Sequence, residues 1–411
     1  MLTEKKNVLQ KWKEVIDESK KAPVDAKYYR DYSTAMILEN LEREMLNEAV
    51  NVTAGVQNWD PVMIPMVRRL APRLIAHDVM GFQAMDMPTG LIFALVPTYA
   101  GVGGVTLGVG TPTPQGGAEA LGIDEPRAAY SGTGTDTGTN PFSGAYTRGT
   151  GWDKADGETK PWAEMGVTVK RTAVEAKTRN LRANYSIELA QDMQRVHGLD
   201  ADAELVTILT NEMLAEINRE IVGTIYTAAK QGAQFAGTPG AFDLQNDADG
   251  RWAGERFRMI MFAIERDANA IANETRRGKG NIIITSSDVA SALAMAGALS
   301  YAPAIEKMTG GLEVDVTGTT FAGMAGRFKV FIDPYATGNG YVVGFKGANP
   351  YDAGIFYAPY IPAQLFRATD ASNNFASAIG IKHRGGIVAN PFTSLTAGQN
   401  AYYRKAEIKN L

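Results

Sequence analysis

The sequence predicts an α+β protein, in which helices and strands come in separate runs and not in regular alternation. Three observations carry this reading. Residues 167–231 pass from an alternating strand pattern into one long helical stripe. Residues 312–365 break into apolar runs divided by glycines (FKVFIDPY, GYVVGFKG, GIFYAPYIP), which read as strands. Residues 98–162 fit neither pattern: they hold 15 Gly and 11 Thr, with Pro at 112, 114, 126, 141 and 161.

The central stretch opens with Val167, Val169, Thr172 and Val174 in strand spacing. A helical piece over 186–196 begins at Ser186, and Gly198 stands where a helix ends in the left-handed conformation. Asp200 and Asp202 offer N-caps for the next helix. Its apolar residues recur every fourth position, at Leu205, Leu209, Met213, Ile217, Ile221 and Ile225, with Ile208 and Val222 widening the stripe. A helix over 201–230 would be roughly 45 Å long at 1.5 Å per residue. That exceeds the usual three turns and suits a brace for an extended body.

Composition limits the function. A chain of 411 residues can bury a sizeable core in two or three subdomains. Hydrophobic content of 45% and charged content of 21% are those of a folded soluble protein. The net charge of -4 is not that of a tight nucleic-acid binder. The sequence holds no cysteine, so disulfides and thiolate metal sites are excluded. No apolar run approaches the 18 or so residues of a membrane span, and the charged N-terminus lacks a signal-peptide core. Synthesis and first use in the cytoplasm are the expectation.

In chain order, residues 1–48 are distinct, with 9 Lys/Arg and 10 Asp/Glu. Two short stripes, Val8-Leu9-Trp12-Val15-Ile16 and Ile37-Leu38-Leu41-Met45, lie either side of Pro23. Such helices cannot make a core alone and need a partner. Pro88-Thr89-Gly90 reads as a turn before a strand over 91–97. The Gly/Thr-rich 98–162 reads as an extended loop; long loops in compact proteins are functional or disordered. A helix is predicted over 253–275, with Phe257, Ile260, Met261, Ile264, Ala268 and Ile271 on one face. NIIITSS is a buried strand, with Ser286 or Ser287 capping the following helix. A last apolar stretch, ASAIGIKHRGGIVANPF, precedes the tail.

Catalytic signals are weak. Gly101-x-Gly103 is followed by Thr106 where the dinucleotide fingerprint needs glycine, and no phosphate-loop motif exists. His77, His197 and His383 stand apart in sequence and read as structural. Glu212, Glu216 and Glu220 form an i, i+4 ridge, but a carboxylate-bridged metal bundle needs a Glu-x-x-His that the chain lacks. Stacked like charges mildly destabilise a lone helix. The ridge is either a solvated face or a contact that receives Lys or Arg from a neighbouring chain. No nucleophile elbow is present. No catalytic, cofactor-binding or metal site is expected.

The residues themselves resemble a family, the major capsid proteins of T-even-type tailed phages. The matching stretches include Val67-Arg68-Arg69, Leu74-Ile75-Ala76, Pro88-Thr89-Gly90, Phe93-Ala94-Leu95 and Glu175-Ala176-Lys177. They continue through YSIELAQD (185–192), VHGLDADAEL (196–205), INRE (217–220), RWAGE (251–255), YDAGIFYAPY (351–360), Asn390-Pro391-Phe392 and NAYYR (400–404). The resemblance implies a Hong Kong 97-type capsid fold, assembled in the host cytoplasm into the virion shell, with no enzyme activity. It divides the chain into an N-terminal arm (1–48), the first part of the shell domain (49–97), the extended loop (98–162), a peripheral domain with the long helix as its spine (163–239), an axial domain (240–365) and a return to the peripheral domain (366–411). The implied partners are copies of the chain in hexamers and shell, with vertex protein, portal, scaffold and prohead protease. DNA would be enclosed without tight binding. The family's protease cuts after a Glu that follows Leu or Ile by two positions, which makes Leu46, Glu48 and Ala49 the candidate site. Ile37-Leu38-Glu39 also fits but lies in a helical stripe, and exposed loops are cut first. Two other readings stand beside this one: an encapsulin-like compartment shell, and a soluble enzyme using the glycine-rich loop.

Overall fold

The computed structural model describes residues 11–12, 35–40, 74–100, 131–133, 147–160, 164–198, 200–234, 236–248, 252–300, 320–349, 351–370 and 376–411. Besides a helical piece at residues 35–40, the helices among the described residues are α1 (Ala76–Val79), α2 (Lys154–Thr159), α3 (Ile187–Asp192), α4 (Ala201–Ala228), α5 (Ala253–Thr275) and α6 (Ser287–Met295). The strands before α4 are β1 (Gly81–Phe82), β2 (Thr89–Ala100), β3 (Gly132–Thr133), β4 (Thr150–Gly151), β5 (Glu164–Glu175) and β6 (Lys177–Tyr185). After it come β7 (Ala229–Gln231), β8 (Ala241–Asp243), β9 (Ile282–Thr285), β10 (Leu299–Ser300), β11 (Thr320–Ala325), β12 (Phe328–Ile332), β13 (Gly340–Gly344), β14 (Ile355–Asp370), β15 (Ala376–Ala389) and β16 (Asn400–Lys409). The α+β class expected from the sequence is the one found.

Two compact units divide the chain. The first comprises Met1–Leu91, Ala173–Asn273 and Arg277–Leu411; the second, Ile92–Thr172 with Glu274–Arg276. The first unit contains two sheets. One runs β1-β14-β15-β6; the other runs β10-β11-β12-β9-β13-β16-β7, with β8 also on β16. In the second unit β3 pairs with β4, and the paired strands β2 and β5 supply most of their length. The expected loop 98–162 falls within this unit. The glycine run 101–110 lies outside the described residues.

α4 forms where its pattern places it and spans about 42 Å at 1.5 Å per residue. The Asp200 side chain caps its start, accepting from the N–H of Asp202 at 3.1 Å. The end comes two residues earlier than expected, because Ala229–Gln231 turns extended and pairs with β16. Met213, Leu214, Ile217, Ile221, Val222 and Ile225 are buried. Ile208 is not part of that stripe: it is 59% exposed, and Val206 is buried in its place. The piece before α4 is a composite. Ser186 Oγ accepts from Leu189 N at 3.2 Å, α3 follows, and Met193–His197 widens into a π-turn that Gly198 ends at φ +66°.

α5 has the bounds read from the sequence. Ile260, Ile264, Ala268 and Ile271 are fully buried, and Phe257 and Met261 sit at the margin of the core. β9 is buried at all four positions. Ser286 takes the N-cap position of α6 without a side-chain cap bond. The expected turn at Pro88-Thr89-Gly90 falls slightly early, over 86–88, and β2 begins at Thr89. β14 pairs with β15 from Ile355 to Asp370, so the boundary expected at residue 365 lies inside a strand. The stretch 366–411 divides between the sheets, since β15 joins β6 while β16 joins β13.

Candidate functional site

The Glu ridge of α4 meets its cation within the chain. β6 alternates, and Leu181, Ala183 and Tyr185 pack against the core. Arg179 is in phase with them, so its guanidinium is carried to the same side of the sheet. There it forms ion pairs with Glu216 and with Glu220, the latter at 2.8 Å. One planar fork thus bridges two carboxylates a helical turn apart and relieves their repulsion. Burial opposes the arginine's charge, but Glu220 and then Glu216 outweigh it and hold its pKa above the ordinary value. Glu212, one turn earlier, is exposed and has no partner among the described residues. The other candidate residues, Leu46, Glu48 and Ala49, lie outside the described residues.

Behind Arg179 stands a buried aromatic pair. His383 on β15 is the register partner of Arg179. Its Nε2 lies 2.8 Å from the Tyr357 hydroxyl on β14. Burial, and then the positive charge of Arg179, push the His383 pKa down to about 4, so the ring is neutral at pH 7. Burial raises the Tyr357 phenol, and Glu220 adds to it. His383 is a structural residue, as read from the sequence. His77 stacks on Phe82 with ring centroids 4.2 Å apart, also within the fold.

A second buried node ties the eight-stranded sheet to α5. Asp267 accepts from the N–H of Ala233 at 2.9 and 3.1 Å and from the Tyr341 hydroxyl at 2.9 Å. Desolvation still leaves its pKa raised. Sequence reading passed over Arg179 and Asp267. The signal available for each was a charged residue in phase with apolar neighbours, Leu181 for one and Ile264, Ala268 and Ile271 for the other.

The outward side chains of β2 and β5 differ in kind from these nodes. Ile92 and Val96 are buried, 7% and 1% exposed. Between them on β2, Phe93 is 62% exposed and Leu95 70%, and on β5 Val167 is 66% and Val169 58% exposed. Four large apolar residues thus stand exposed on two paired strands, and unburied apolar surface of this kind marks an interaction surface. No group of His, Asp and Glu among the described residues is arranged to hold a metal ion. No described helix is long and apolar enough to cross a membrane.

Comparison with known proteins fixes the family. The family described as "Major capsid protein Gp23" matches residues 56–408. The major capsid protein of Salmonella phage ViI is 40% identical over 91% of this chain and 89% of its own length. That of Enterobacteria phage T4 is 34% identical over 88% and 86%. The mature capsid of bacteriophage PhiM1 is similar at 10% identity, over 88% of this chain and 90% of that one, with a TM-score of 0.42. The chain belongs to the Gp23 family of major capsid proteins, the structural proteins of tailed-phage heads. Its work is to build the head shell of the virion from copies of itself, and not to catalyse a reaction.

Proposed function

We propose that the chain closes its shell by laying the segment between β2 and β5 across a neighbouring copy. The exposed face of Phe93, Leu95, Val167 and Val169 supports this. A shell protein that leaves such a face uncovered in one copy has a covering surface in the next. Deleting residues 105–150 is expected to leave a folded, soluble chain that forms no shells. Shells of normal size and stability from the deletion would overturn the reading.

Within that shell, residues 163–239 act as the peripheral domain, 240–365 as the axial domain around the hexamer centre, and 366–411 as the return. Glu212 is the member of the ridge open to a cation from a neighbouring copy. Vertex protein, portal and scaffold are the further partners, on family grounds. The N-terminal arm is removed by a prohead protease after Glu48, with Leu46 fitting the specificity and the small Ala49 becoming the first residue. Its loss makes the change from precursor to mature shell one-way. Sequencing the N-terminus of virion protein checks this, with Ala49 expected and Met1 or Leu2 ruling it out. The net charge of -4 supports a lining that lets DNA slide, since phosphate contacts need Lys or Arg.

A further inference from the structure

We infer that residues 35–40 are an intramolecular strap that locks the root of the β2/β5 hairpin. Residues 35–40 are helical, and Ala35, Ile37 and Leu38 are buried, from 0 to 5% exposed. Asn40 ends this described piece and is itself buried. Its amide Nδ2 donates to two main-chain carbonyls, Met85 O at 2.6 Å and Tyr360 O at 3.0 Å. One NH₂ group carries two protons, so a single side chain satisfies both acceptors.

Both acceptors sit at breaks in regular structure. The β14–β15 register shifts between Pro359 and Ile361, so Tyr360 has no opposite residue in the ladder. Met85 ends a segment that leaves β1 alongside β14, with Gln83 N bonded to Tyr357 O and Met85 N to Pro359 O, each at 3.0 Å. Asn40 therefore joins the end of that segment to the bulge beside it.

The same Met85 supports the hairpin. Its Sδ and Val174 Cγ1 each lie 3.1 Å from where a Cβ on Gly90 would stand. Gly90 near the start of β2 and Val174 near the end of β5 thus close on one buried methionine. The N–H of Ala176 completes the root by donating to Pro88 O at 2.9 Å.

A second contact holds the strap. Glu39 Oε2 accepts from the indole N–H of Trp12 at 3.0 Å and pairs with Lys11 Nζ at 3.1 Å. Trp12 is 5% exposed. Residues 11–12 thereby press 35–40 into place, and they engage the Glu of the alternative protease motif, Ile37-Leu38-Glu39. Removing Asn40 would leave one buried and one partly buried carbonyl without this donor, which makes the root easier to open. The strap is argued from these contacts and does not depend on the arm being cut. If the arm is cut after Glu48, the strap leaves with it.

The test is amide hydrogen exchange on the full chain, which reads local opening. Asn40→Ala is expected to speed exchange at Gln83, Met85 and Ala176 at least tenfold, with α4 and β9 unchanged. Faster exchange confined to 35–40, with those three amides at wild-type rates, overturns the strap. Should Asn40→Ala fail to fold, Trp12→Ala carries the test: it removes the outer contact and leaves the Asn40 bonds. The same three amides are then expected to exchange about threefold faster, and unchanged rates overturn the proposal.

Discussion

α4 and the β2/β5 pair spend the same kind of residue in opposite ways. Along α4, Met213, Ile217, Ile221 and Ile225 are 0 or 1% exposed, and the chain's own sheets cover them. Along β2 and β5, Phe93, Leu95, Val167 and Val169 are more than half exposed. Burying a large apolar side chain is worth about 1.5–3 kcal/mol. On α4 that energy acts in folding one copy. On the hairpin, in the function proposed above, it is withheld until a second copy arrives. A shell protein needs both, because a subunit that satisfied all its apolar surface internally would have little reason to associate.

The sharpest way to break this comparison is to charge the hairpin face. Phe93→Asp with Leu95→Asp is expected to abolish shell formation, read by electron microscopy and sedimentation. The melting temperature of the isolated chain should stay within about 3 °C, since surface changes cost little in the folded copy. Ile217→Ala on α4 should do the reverse. It is expected to cost about 2–5 kcal/mol in denaturant unfolding of the isolated chain, as for other buried large-to-small changes.

Acid separates the regions next. The depressed pKa of His383 means that its neutral form is favoured in the fold. Its contribution is complete above the unfolded value near 6.5 and is lost as pH falls toward about 4. The full shift corresponds to roughly 3 kcal/mol. Asp267, with its pKa raised by burial, acts with the opposite sign, because the folded state gains its proton first. His383→Gln isolates the first effect: the decline in stability between pH 6.5 and 4 should flatten. Arg179→Ala should cost about 1 kcal/mol, because its two ion pairs with Glu216 and Glu220 are partly solvated. The smallest effect is expected at Ile208, which is exposed although it lies beside the helical stripe. Ile208→Ser should stay within about 0.5 kcal/mol by the same unfolding measurement.

Legibility followed the range of the interactions. α4, α5 and β9 were plain in the sequence because helix and strand periods, Asp200 as a cap and Gly198 as a stop act over a few residues. The family was legible because its motifs are spread through most of the chain, and a match to residues 56–408 needs no geometry. The strand at 400–409 was hidden in what read as a tail, since its pairing with β13 and β7 joins residues far apart in sequence. The same distance hid Arg179, whose partners stand 37 and more residues away on α4. That Ile208 would face away from the core, and which carbonyls Asn40 would meet, were decided only when the sheets closed around them. Local pattern sets what each segment can be, and long-range packing sets which of its faces is used.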